Sequence, residues 1–159
     1  MSFTLKVRVT GFDGVDAMLS RLNPLDTGTL MEGLARLIQQ QTRRRIETEK
    51  TAPDGSAWKA NAAGTSTLFR SGTLSRSIDY AIQGNSLMVG SGLIYAGVHQ
   101  DGATIRPKSA RRLVFQLGNR LVFAMQSVIP PRRFLGISAE NARDIMETTA
   151  DFIRRRLGL

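Results

Sequence analysis

Phe3, Leu5, Val7 and Val9 alternate with Thr4, Lys6, Arg8 and Thr10, the period of two expected of a strand with one buried face. Gly11 and Gly14 break the pattern, a short helix fits Val15 to Leu22, and Asn23-Pro24 ends it, because proline drives the preceding residue out of the helical region. Asp26 or Thr27 can cap the next helix, whose apolar positions Leu30, Leu34, Leu37, Ile38 and Ile46 carry it to about Lys50. Residues 51–67 are rich in small and turn-forming side chains and hold the only tryptophan; they predict a surface loop with Trp58 folded back as an anchor. Ser71 to Ile78 reads as a short capped helix with Leu74 and Ile78 on one face. A hairpin follows, Tyr80 and Ile82 outbound, Gly84-Asn85 at the turn, Leu87 and Val89 returning.

Ile94 to Gln100 fits one helical turn closed by Gly102. Strands are predicted at Thr104–Arg106, Arg112–Gln116 and Leu121–Ser127, with Gly118-Asn119 between the last two, so that residues 103–127 form a long projecting ribbon. Pro130-Pro131 withholds two donors and stops the sheet. Phe134 and Leu135 then supply an apolar plug for the core or an adjacent subunit, and Ser138, with Asn141 three residues on, caps a last helix over Ala139–Arg156. Its stripe of Ala142, Ile145, Met146, Thr149, Phe152 and Ile153 should lie against the sheet. The order of elements predicts an α+β fold: one domain over residues 1–159, an antiparallel sheet covered on one face by two longer helices, with an extended basic β-ribbon arm.

Composition narrows the class. A chain of 159 residues can hide roughly 70% of its unfolded surface in one core. With 42% apolar and 22% charged residues it is neither disordered nor collagenous, and no apolar run approaches the ~18 residues of a spanning helix. The alternating N-terminus is unlike a secretory signal, so a cytosolic origin is expected and no membrane partner. Absence of cysteine excludes disulfides and thiolate metal sites, and one histidine excludes a multi-histidine site.

Charge adds more. The net charge is +9, and no carboxylate occurs between Asp101 and Glu140, an interval holding Arg106, Lys108, Arg111, Arg112, Arg120, Arg132 and Arg133. Arg43-Arg44-Arg45 and Arg154-Arg155-Arg156 fall near helix ends, where cations complement the dipole and solvate the terminus. The basic ribbon admits three readings: a solvated edge whose charges block unwanted pairing, a sequence-independent contact to phosphates, or an arm reaching a neighbouring copy.

Catalytic motifs are missing: there is no Gly-x-Ser-x-Gly, phosphate-binding Gly-Lys-Ser loop, His-Glu-x-x-His or dinucleotide fingerprint. His99 beside Asp101 offers a general base with an orienting carboxylate, but that short turn supplies neither nucleophile nor oxyanion site. No catalytic, cofactor-binding or metal-binding residue is expected, and His99 is read as a half-buried side chain bonding its loop. Trp58 and Tyr95 are read as anchors in preference to platforms for nucleic-acid bases.

Five segments in order carry a resemblance: Arg44-Arg45-Ile46 leading into Thr51-Ala52-Pro53-Asp54-Gly55-Ser56-Ala57-Trp58; Leu74-Ser75-Arg76-Ser77-Ile78; Val89-Gly90-Ser91; Tyr95-Ala96-Gly97-Val98-His99-Gln100-Asp101-Gly102; and Ile129-Pro130-Pro131-Arg132-Arg133-Phe134-Leu135-Gly136-Ile137-Ser138. Over about residues 30–155 the chain resembles the phage virion morphogenesis family, called tail completion proteins in Mu-like phages. Pro131 and Arg133 depart from the family pattern, which has a small residue and often proline there. The resemblance implies a structural protein at the head-to-tail junction, a neck or tail-terminator component assembled in the host cytoplasm. Such proteins form closed rings, commonly hexamers, through which DNA passes, and meet portal-side or tail-tube neighbours. It also implies that Tyr95 to Gly102 and Pro130 to Gly136 are structural, and it leaves Arg106, Lys108, Arg111, Arg112 and Arg120 for the lumen or the neighbouring subunit. A DNA-binding protein or regulator using the basic ribbon is the alternative.

Overall fold

A computed structural model describes residues 3–7 and 25–157. The short helix expected at Val15 to Leu22 lies outside the described residues. Strand β1, Phe3–Val7, pairs antiparallel with β3, Ser86–Ser91, which pairs on its other side with β2, Ile78–Gln83. The order β1-β3-β2 puts β3 at the centre. The two-residue turn depends on Gly84, whose φ of 57° suits a hairpin turn that follows the strand twist.

Helix α1, Leu25–Arg44, covers this sheet. It begins before Asp26 and Thr27, so the expected caps stand within its first turn. Leu30, Leu34 and Ile38 share a buried cluster with Ile78, Leu87 and Val89, the inward positions of β2 and β3. Tyr80 OH donates to Glu32 Oε1 at 2.6 Å and ties the edge strand to the helix. The helix closes with a π turn, Arg45–Glu49, in which the Lys50 amide donates to the Arg45 carbonyl across five residues. Arg45 and Ile46 are both buried as a result.

Residues 50–72 form a connection without helix or strand, pinned by the Thr51–Ala57 bridge. Helix α2, Thr73–Arg76, is shorter than expected; Leu74 is in it and Ile78 opens β2, yet both reach the core. Helix α3, Ile94–Asp101, has two turns instead of one.

The last helix, α4, spans Ala139–Leu157. Asn141 N–H donates to Ser138 Oγ at 3.1 Å and Ser138 N–H to Asn141 Oδ1 at 3.4 Å, a reciprocal cap with asparagine in place of the usual glutamate. Its principal contact is with α1: Ile145 and Thr149 are buried, and Gln41 Nε2 donates to Asp144 Oδ2 at 2.9 Å. It therefore joins the helical layer through α1 instead of resting directly on the strands. Geometry explains this, since outer strands of a three-stranded sheet stand only about 10 Å apart and one helix is about that wide. Met146, expected on the stripe, is 62% exposed, and Asn141 is buried in its stead.

Over residues 103–129 two short antiparallel pairs replace the single long ribbon expected. Strand β4, Ala103–Ile105, pairs with β7, Ser127–Ile129, and β5, Leu113–Leu117, pairs with β6, Arg120–Ala124. Seven residues, 106–112, stand opposite Met125 and Gln126 alone, so the predicted strand Leu121–Ser127 is broken. Pro107 has no N–H to give a ladder, and Lys108, Arg111 and Arg112 repel one another in a tight pairing. From Gly97 to Pro131 no residue is buried, which places these pairs outside the core.

Candidate assembly surface

The stretch 130–138 has no regular structure, and its polar backbone is satisfied by side chains from distant elements. Gln100 Oε1 accepts from the Phe134 and Leu135 amides at 3.0 Å each, and Gln100 Nε2 donates to Leu135 O at 3.3 Å. Arg45 donates from Nη1 to Phe134 O at 3.1 Å and Gly136 O at 2.8 Å, and from Nη2 to Asn141 Oδ1. Trp58 Nε1 donates to Arg133 O at 3.1 Å. Phe134 and Leu135 thereby sit in this chain's own core, with Phe134 fully buried. Arg132 is buried as well; it donates to Lys59 O at 2.9 Å and Ala60 O at 3.2 Å, so it stitches the 50–72 connection and is withdrawn from the surface cations.

Gly102 and Gly136 are tight approaches. Gly102 has φ 76° and ψ 166°, and a Cβ there would lie 2.8 Å from Ile129 O and 2.9 Å from Pro131 N. Gly136 has φ 148°, and its Cβ would lie 2.5 Å from Pro53 Cγ. Gly102→Ala combines a backbone conformation nearly reserved for glycine with a clash against backbone. It should cost about 3 kcal/mol, read as a lower urea midpoint with unchanged slope.

His99 lines a hollow of about 240 Å³ with Leu74, Tyr95 and Arg132 among its walls. Its carbonyl accepts from the Arg132 amide at 2.7 Å, the Tyr95 ring meets it edge-on at 6.0 Å, and its Nδ1 is buried without a hydrogen-bond partner. The loop contact expected of its side chain is thus made by its backbone. Burial, and secondarily the Arg132 charge, pushes its pKa below the ordinary histidine value. Asp101 is exposed and is in no ion pair with it.

The β5–β6 pair has apolar side chains on both faces. Val114 opposes Phe123 and Gln116 opposes Leu121 on one; Leu113, Phe115, Leu117, Val122 and Ala124 make the other, with Arg120 opposite Leu117 at its end. Val114, Leu121, Phe123, Met125 and Val128 are each 57–67% exposed. Around them Arg106, Lys108, Arg111, Arg112 and Arg120 are all exposed, and none makes an ion pair or side-chain hydrogen bond among the described residues. Exposed apolar side chains grouped among unpaired cations are the composition that interaction surfaces have.

The profile of the phage virion morphogenesis family matches residues 11–154. The chain belongs to that family. No curated protein and no solved structure matches it. As a virion morphogenesis protein it has a structural role in building the phage particle, and no helix among its described residues is long and apolar enough to cross a membrane.

In this family member the residues singled out from sequence separate into two groups. Trp58, Leu74, Ile78, Tyr95, His99, Gly102, Pro130, Pro131, Phe134, Leu135 and Gly136 lie in or around the fastening of segment 130–136, with Tyr95 at its exposed edge and Leu74 and Ile78 in the core beneath. The five ribbon cations lie apart from them in the unburied interval. Arg45 and Gln100, which do most of the fastening, stand out in the sequence only as members of longer runs, Arg43-Arg44-Arg45 and Tyr95 to Gly102. For Arg45 a signal existed: it falls seven residues after Ile38, on the helix face that buries Leu34 and Ile38.

Proposed function

We propose that this virion morphogenesis protein works at the head-to-tail junction of a tailed phage as a neck, tail-completion or tail-terminator subunit, closing into a ring, a hexamer, through which DNA passes. The observation that carries the proposal is the two-faced apolar ribbon. Leu113–Leu117 and Arg120–Ala124 have almost no polar alternation, the pattern of strands covered on both sides, yet one face is open in a single chain. Neighbouring subunits supply the missing cover. A closed ring needs two different faces per subunit, and an exposed hairpin offers one of them. The role is mechanical and uses no catalytic group, cofactor or metal; portal-side or tail-tube proteins are the other partners. The unpaired ribbon cations support a second contact, non-specific, with the phosphates of the packaged genome.

In phage lacking the protein, electron microscopy should show completed heads and tails that fail to join, with infectivity at least a hundredfold lower and restored by the wild-type chain. Joined, infectious particles without it would refute the proposal.

A further inference from the structure

The face of the next subunit that receives the ribbon can be named from charge and exposure. On α4, Glu140, Asp144, Glu147 and Asp151 recur at intervals of four, three and four residues, which aligns them along one side of the helix. Glu140, Glu147 and Asp151 are exposed, and Asp144 is half-buried on Gln41. Among the described residues Glu140 and Glu147 are in no ion pair, while Asp151 pairs only with Arg154 on its own helix, at 3.0 Å and exposed, a contact worth little. Met146 and Ala150 line an open hollow together with Glu147, Asp151 and Arg154, and exposed Arg143 and Arg154 share this side of the helix, so the four acids there exceed its cations by two. Acids beside an exposed methionine on α4 are the complement of cations beside exposed Val114, Leu121 and Phe123 on the ribbon.

We propose that the β5–β6 hairpin of one copy seats on the outer face of α4 of the next, its apolar side chains against Met146 and Ala150 and its arginines against Glu147, Asp151 and Glu140. The inference rests on the ring reading and specifies its contact. Within one chain the two surfaces do not serve each other, since none of the five cations pairs with an α4 acid. The contact is head-to-tail, so every copy both gives a hairpin and receives one, which is what ring closure demands. Charge complementarity then sets register and excludes a hairpin-to-hairpin dimer, in which like charges would meet.

The test is charge exchange, read by sedimentation velocity of the purified full chain. Arg111→Glu with Arg112→Glu, and separately Glu147→Arg with Asp151→Arg, should each weaken self-association at least tenfold while leaving the thermal midpoint within a few degrees, because all four side chains are exposed. Combining the four substitutions in one chain should restore association to near the wild-type level. If the α4 pair assembles like wild type, or the fourfold variant is no better than the ribbon pair, the α4 contact is wrong although the ring reading survives. If the ribbon pair alone loses binding to a mixed-sequence duplex and the fourfold variant does not recover assembly, the cations serve DNA and the inference is overturned. A wild-type chain that never self-associates overturns the ring reading itself.

Discussion

Replacing Arg45 by alanine should lower the thermal midpoint by roughly 10 °C, measured by circular dichroism or calorimetry. The guanidinium is buried and its hydrogen bonds end on Phe134 O, Gly136 O and Asn141 Oδ1; without it Phe134 O loses a buried donor, Gly136 O a part-buried one, and Asn141 Oδ1 keeps only the longer bond from the Ser138 amide. Each buried acceptor left without a donor costs about 1–3 kcal/mol, partly recovered if water enters the space. A total near 4 kcal/mol, at about 2–4 °C per kcal/mol for a chain this size, gives the stated shift. Burial lowers the Arg45 pKa, the Glu49 carboxylate at 3.9 Å opposes that shift and the Arg44 charge adds to it; a guanidinium stays charged in proteins as a rule, which makes its bonds charge-assisted. Arg45→Lys should recover little, since one ammonium cannot reach three separated acceptors in the geometry of a planar fork. A wild-type midpoint in Arg45→Ala would mean that segment 130–138 is held by its apolar contacts alone.

Phe134→Ala should be comparably damaging, at about 3–5 kcal/mol, because the ring is fully buried in the cluster that also holds Leu34, Ile38, Ile78 and Val89. Phe134→Leu retains most of the volume and should cost under about 1.5 kcal/mol. Urea titration distinguishes the two. The pair Arg45 and Phe134 should also be non-additive, since removing either loosens the same turn; a double variant is expected to lose about 1 kcal/mol less than the sum. Strict additivity would show that the backbone of 134–136 keeps its place without Arg45.

Much of the architecture could be read from local chemistry. The alternation at residues 3–7 and 78–91, the Gly84-Asn85 turn, the Ser138–Asn141 cap and the core positions of α1 all follow from rules that act over a few residues, and the structure has them. The differences arise where distant parts of the chain decide. Arg45 belongs to a run of three arginines that resembles a solvated helix end, but a π turn and the irregular segment 130–138 draw it inside. Arg132 belongs to the acid-free interval by sequence and to the interior by its bonds to the 59–60 backbone. Local pattern predicts one long ladder over residues 103–127, whereas seven residues facing two divide it. Its cations stand out by their charge; the missing polar alternation of β5 and β6, on which the proposed assembly rests, is equally visible in the sequence.

The most direct test of the account is the mass of the purified protein in solution, alone and with tail-tube or portal-side proteins, by native mass spectrometry. A closed assembly of several 17.5 kDa chains is predicted, dissociating when Leu121 and Phe123 are replaced by serine while the chain remains folded. A species that stays at 17.5 kDa at every concentration and with every such partner would contradict it.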